Sequence, residues 1–201
     1  MAATTWLGVD VGGARKGFDY AVIDRVKVVE LEGRASLGDV LDAVRRHDPK
    51  LVAIDSPRSA APHGHRSREG ERLLAKAVCG IRWTPDAASL HVGPYYEWIR
   101  EGLSLYEALD RASLDAIEVF PTASWTRWYG ARGSTRRSTW TQAGIAELEL
   151  ANLPKRTNQD QRDAVAAALT ARHHSDGLTE SFGDIVVPKA GLPTSAAARD
   201  A

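Results

Sequence analysis

Three short apolar runs in this chain each carry one acid at or near the C-terminal end, and that recurrence constrains the fold more than any other feature. The runs are Trp6-Leu7-Gly8-Val9-Asp10-Val11, Leu51-Val52-Ala53-Ile54-Asp55 and Ala116-Ile117-Glu118-Val119-Phe120. An ionised carboxylate at the edge of a buried strand is costly unless something meets it. A metal ion, a partner cation or a backbone turn can each do so at Asp10, which is followed closely by Gly12 and Gly13. At 201 residues the chain is long enough for one well-buried domain and short for two, so one domain with a tail is expected.

The periodicity between these runs orders the rest. Residues 5–11 read as a strand, and turn signals at Gly12, Gly13 and Gly17 lead to a second, Phe18 to Ile23. A third, Val26 to Leu31, follows the tight Asp24-Arg25 connection, and such close spacing favours an antiparallel meander. Ser36 is placed to cap a helix whose apolar face is Leu37, Leu41 and Val44, ended by His47-Asp48-Pro49. Residues 51–55, uniformly apolar after a helix, have the look of a parallel strand buried on both faces.

Residues 58–112 are mostly helical in pattern, with candidates at Ser67 to Cys79 and Tyr95 to Ala112, and are too long for an ordinary connection; an insertion is expected. In the strand from Ala116 to Pro121 the acid lies inside the run, so the face of Glu118 is open. Residues 122–141 are rich in Trp, Arg, Ser and Gly, and Gln142 to Leu150 reads as a short helix. Asn158 to His173, rich in Ala and Leu, is the clearest helix in the chain, with Asp160 and Asp163 on one face near its start. Ile185 to Pro188 reads as a last edge strand, and 189–201 as a flexible tail.

The formal net charge is zero, so no global field draws nucleic acid, and any polyanion must meet a local patch. Two are candidates: Arg58, Arg66, Arg68, Arg72, Lys76 and Arg82 in one stretch, and Arg127, Arg132, Arg136 and Arg137 in another. No apolar run approaches the roughly 20 residues of a bilayer span. The first residues lack the basic start and apolar core of a secretory signal. The single cysteine, Cys79, leaves no disulfide within the chain and no cysteine zinc cluster, which fits a reducing cytoplasm.

Three antiparallel strands, a helix, a strand, an insertion, a strand and a closing helix match the α/β ribonuclease H-like core, a mixed sheet flanked by helices. The motifs GVDVGG (Asp10), LVAIDSP (Asp55), IEVFPTAS (Glu118) and DQRDAVAAALTA (Asp160, Asp163) together resemble the domain of unknown function 429 family, nucleases of that fold related to Holliday-junction resolvases. The stretch GERLLAKAVCGIRWTP is similar to that family's middle segment, and the resemblance spans residues 5–188. It implies that Asp10, Asp55 and Asp163 bind divalent metal, with Glu118 or Asp160 completing the set, for phosphodiester cleavage in nucleic acid.

The chemistry has its own logic. Carboxylates crowded together need a cation to stay ionised, and oxygen-only ligands select Mg2+ or Mn2+ over zinc. Two such ions, about 3.5–4 Å apart, activate water and stabilise the leaving oxygen. Lys16, Arg58, Arg72, Arg127, Arg132, Arg136 and Arg137 are candidate phosphate contacts, and Trp125 and Trp128, like Trp140, are candidates to stack on unpaired bases. Gly12 and Gly13 would let the backbone approach a phosphate.

Each residue also has a plainer use. Asp10 can cap a turn with Gly12, Asp55 can make an Asx-turn before Ser56-Pro57, Glu118 can pair with an arginine, and Asp160 suits any helix start. The tryptophans can pack on the sheet, and His63 and His65 can be solvated loop residues. Two other functions fit: a non-catalytic nucleic-acid-binding module, or an ATP-binding protein of the actin and sugar-kinase type, whose phosphate-binding start GVDVGG also resembles but which needs two such domains.

Overall fold

The computed structural model describes residues 3–148 and 150–190. Seven strands form one sheet in the order β3-β2-β1-β4-β5-β7-β6. The first three, β1 (Trp6–Val11), β2 (Phe18–Ile23) and β3 (Val28–Ala35), are the expected antiparallel meander. Helix α1 (Leu37–His47) then returns the chain to β4 (Val52–Asp55), which pairs parallel with β1. Ser36 starts α1 as expected: its hydroxyl accepts from the Asp39 N–H at 3.2 Å, and the Asp39 carboxylate accepts from the Ser36 N–H at 2.8 Å.

Helices α2 (Glu69–Ala77), α3 (Ala87–Leu90) and α4 (Glu97–Arg111) fall in the interval expected to be an insertion. Strand β5 (Ala116–Val119) adds parallel to β4. Two helices follow, α5 (Pro121–Tyr129) and α6 (Arg137–Ala146), then α7 (Gln159–Ser175). The chain closes in a hairpin of β6 (Thr179–Phe182) and β7 (Ile185–Pro188). Ile185–Pro188 is therefore not the edge strand expected: β7 lies between β5 and β6, and β6 is the edge. Most of the tail expected from residue 189 lies outside the described residues.

Side-chain alternation along β1 divides the core. Leu7, Val9 and Val11 point to the face covered by α1 and α4, where Val40, Val44, Leu105 and Leu109 complete one cluster. Trp6 points to the other face, against the alanines of α7, with Trp125, Trp140 and Ile145. Every residue of α7 from Arg162 to His173 is buried. A helix covered on all sides shows no apolar stripe, which is why its sequence reads as plain alanine-rich helix.

Candidate active site

Gly8 sets the geometry of the site. A methyl carbon built on it would lie 2.1 Å from the Ala168 nitrogen and 2.2 Å from the Ala164 carbonyl oxygen, so β1 and α7 meet backbone to backbone. Asp10 is two residues further along the same face, about 6.6 Å up the strand. One turn back from Ala164, about 6 Å down the helix, is Asp160. Strand and helix run in opposite senses, so these steps bring Asp10 to Asp160 and Asp163. Asp55 joins from β4, level with Asp10 in the register, and Asp19 of β2 is level with Asp10 on the other side.

The charges are only partly compensated. Burial pushes the Asp10 carboxyl well above the usual range, and Asp55, Asp163 and Asp160 add to this, while Lys16 opposes it. Asp55 is pushed up to about 8 by burial and then by Asp163, with Arg137 and a hydrogen bond to Asp10 pulling the other way. Asp163 is raised by burial despite Arg137, Gln159 and Trp125, which reach it at 2.9, 2.9 and 3.3 Å. Lys16 pairs with Asp160 at 2.6 Å. In this arrangement, no group of three or more His, Cys, Asp or Glu side chains among the described residues could hold a metal ion.

Glu118 stands apart. It is level with Ile54, not Asp55, and so shares the sheet face of Ile54, opposite to that of Asp10. There it accepts the Arg58 backbone N–H at 2.8 Å and both terminal nitrogens of Arg68, one at 2.7 Å. Arg68 also holds the fully buried Glu71, which in turn accepts from the Thr84 N–H at 3.1 Å. Burial still leaves the Glu118 carboxyl raised overall. Its place inside the run, one residue out of step with Asp55, puts it on the other sheet face, although it still borders the same cavity and adds to the rise at Asp55.

A cavity of about 620 Å³ opens over the acids, and Lys16, Arg82, Arg132, Arg137 and Trp98 are among its lining residues with Asp10, Asp55, Asp160, Asp163 and Glu118. Arg136 is exposed at the start of α6 beside Arg137. The other candidate phosphate contacts do not line this cavity. Arg58 donates to the Ala116 carbonyl at 2.5 Å and to Asp110 at 3.0 Å; Arg72 is held by Ser67, and Arg127 pairs with Glu180.

The tryptophans expected to stack on bases are turned inward. Trp125 is 1% exposed in the core, and Trp128 packs edge-to-face between it and His173, with 5.6 Å between ring centroids in each case. Helix α5 puts positions 125 and 128 on one face, the face that meets α7, so Trp125 is closed to a base and Trp128, half-buried, is committed largely to this packing. The two glycines have local duties as well: a Cβ on Gly12 would meet the Gly17 carbonyl at 2.6 Å, and one on Gly13 the Glu97 carboxylate at 2.7 Å. Two residues were missed from sequence. Asp19, 3% exposed, betrayed itself only as a charge in an otherwise apolar strand, and Trp98 gave no signal beyond composition; Arg82 belongs to the first of the two basic stretches.

No protein-family model matches this chain, and no curated protein matches it. Solved structures do. RuvC of Thermus thermophilus in complex with Holliday junction substrate aligns with 13% identity over 86% of this chain and 94% of that one, at a TM-score of 0.51. A second structure of Thermus thermophilus RuvC aligns with 14% identity over 87% of this chain and 97% of that one, at 0.49. The fold is thus α/β and ribonuclease H-like, with a mixed sheet of antiparallel and then parallel strands flanked by helices.

Proposed function

We propose that this protein is a metal-dependent nuclease that hydrolyses phosphodiester bonds in DNA or RNA. The observation that carries the reading is the meeting of Asp10, Asp55 and Asp163, from two strands and a helix, at the floor of one cavity. The donor set suits a hard cation: these residues and Asp160 offer only oxygen, and burial with mutual repulsion raises the carboxyls of Asp10 and Asp55, which have no cation paired directly with them among the described residues. Bound Mg2+ or Mn2+ would supply an activated water and charge neutralisation at the scissile phosphate.

The chain's own residues do the rest. Asp10 and Asp55 would hold the ions, joined by Asp163 once its contact with Arg137 is released, and by Asp160 once Lys16 turns away. Freed from the acids, Lys16 and Arg137 become phosphate ligands, with Arg132 and Arg136 continuing the path. Glu118 acts through Arg68, as an anchor for the segment after β4. Residues 1–188 are read as one domain working in the cytoplasm, and the four acid-bearing motifs support membership of the domain of unknown function 429 family. Fold and cavity both agree with a RuvC-like hold on nucleic acid.

A second reading draws on one observation: Asp160 and Asp163 are already satisfied by Lys16 and Arg137. In a non-catalytic nucleic-acid-binding module they would stay so. Melting with and without Mn2+, together with cleavage assays on DNA, RNA and branched substrates, separates the two. The nuclease reading expects Mn2+ to raise the melting temperature of the wild type and not of Asp10→Asn, the variant losing cleavage while remaining folded. Absence of cleavage on every substrate with either ion would sink it.

A further inference from the structure

The segment between β4 and α4 bears aromatic side chains that the core does not use. Trp83 is 53% exposed and Tyr95 63%, in a chain whose Trp6, Trp125 and Trp140 are all buried. Together with Ile81, Arg82, Tyr96 and Trp98 they line a hollow of about 370 Å³. The rings of Tyr95 and Tyr96 stand edge to face, 4.9 Å between centroids. Ile81, Arg82 and Trp98 line the acid-bearing cavity too, so the hollow continues the candidate active site.

Arg82 is the joint between the two spaces. It is exposed, and it makes no ion pair or side-chain hydrogen bond among the described residues. A guanidinium without a counter-ion, beside open aromatic faces, is complementary to a phosphate whose neighbouring base is free to stack. Continuous duplex offers the phosphates but keeps its bases stacked inside. A strand with unpaired bases offers both.

We infer that the hollow formed by Trp83 and Tyr95 seats an unpaired base of a nucleic-acid strand whose backbone passes Arg82 toward the acid cluster. This rests on the nuclease reading for its ligand, and it narrows the substrate to strands with unpaired bases near the cut. Trp83 and Tyr95 supply flat surface, which is indifferent to base identity, so the preference is for strand form and not for sequence.

The test measures binding alone. A fluorescently labelled single-stranded oligonucleotide and a blunt duplex of the same sequence are titrated by anisotropy in EDTA, so that nothing is cut. The wild type should bind the single strand more tightly. Trp83→Ala and Tyr95→Ala should each weaken single-strand binding about tenfold while changing duplex binding by less than about twofold, with Trp83→Phe keeping most of the affinity. Arg82→Ala should weaken both forms and lower the salt dependence by about one phosphate contact.

Equal losses for single strand and duplex, or none, would overturn the inference. So would a wild-type dimer that Trp83→Ala turns to monomer, since the patch would then be an interface between copies. Circular dichroism of the variants excludes unfolding as the cause of any loss. Preferential single-strand binding lost in Trp83→Ala, with no cleavage in Mn2+, would uphold the hollow and sink the nuclease reading. Loss of the Mn2+-dependent cleavage in Asp10→Asn, with Trp83→Ala binding unchanged, would do the reverse.

Discussion

Gly8→Ala is the sharpest probe of how this protein is built. The added methyl would lie 2.1 Å from the Ala168 nitrogen, 2.2 Å from the Ala164 oxygen and 2.8 Å from the Ala167 carbonyl carbon. All three are backbone atoms of α7, so no rotamer change relieves them; strand and helix must part by more than an ångström to restore ordinary contact. That separation strips dispersion contacts from the seam on both sides of position 8, since a gap of about 0.5–1 Å already forfeits a quarter to a half of each. Overpacking typically costs about 1–3 kcal/mol where side chains can adjust, so at least about 3 kcal/mol is expected here. For a chain of this size that is a fall of about 6–12 °C in melting temperature. Urea melts followed by circular dichroism should show a lower midpoint with an unchanged slope. Gly38→Ala is the control: its methyl would meet only the Ser36 hydroxyl, at 3.5 Å, at an exposed position of α1, and stability should hold or rise by up to about 1 kcal/mol. A loss below about 1 kcal/mol in Gly8→Ala would refute the backbone-to-backbone seam.

Arg68→Met should cost about 3–5 kcal/mol, because it leaves two carboxylates, Glu118 at 3% and Glu71 at 0% exposure, buried without their cation; a loss of less than about 1 kcal/mol in the unfolding free energy from urea melts would show the network to be dispensable. Glu30 gives a pH effect of known sign. Burial raises its carboxyl, but hydrogen bonds from Tyr20, Arg46 and His47, at 2.5, 2.6 and 2.6 Å, outweigh this and bring it down to about 2 from 4.5. Its folded value is the lower, so the stabilisation is present above about pH 4.5 and is lost as the pH falls toward 2. The melting temperatures of wild type and Glu30→Gln should therefore converge over that window, and a gap independent of pH would refute the assignment.

Local signals sufficed for much of this fold. The meander, the Ser36 cap, the parallel β4 and the long α7 each follow from periodicity and turn chemistry within a few residues. What escaped depends on distant partners. The segment holding α5 starts at Pro121, a sound first helical residue, but its tryptophan and arginine content obscured a face that only α7 defines. Strand β6, Thr-Glu-Ser-Phe, has no apolar alternation to announce it, and the interior position of β7 follows from its pairing with β5 across the whole of α5 to α7. The same division holds at the site. Asp10, Asp55 and Asp163 could be picked out as acids ending apolar runs or opening a helix, whereas the face of Glu118 turned on a one-residue register that sequence leaves open.

The burial of α7 also determines where this molecule can move. The helix touches β1, β2, β4 and β7, as well as α5 and α6, and it is closed in on every side from Arg162 to His173. A segment so enclosed opens only with the whole fold, so Asp163 has a nearly fixed position for as long as the protein is native. Lys16 on its exposed turn and Arg137 at the outer end of α6 have no such restraint, with side chains 51% and 44% exposed. Adjustment at the cleft on fast timescales therefore falls to its cations, while Asp163 keeps the slow clock of global unfolding.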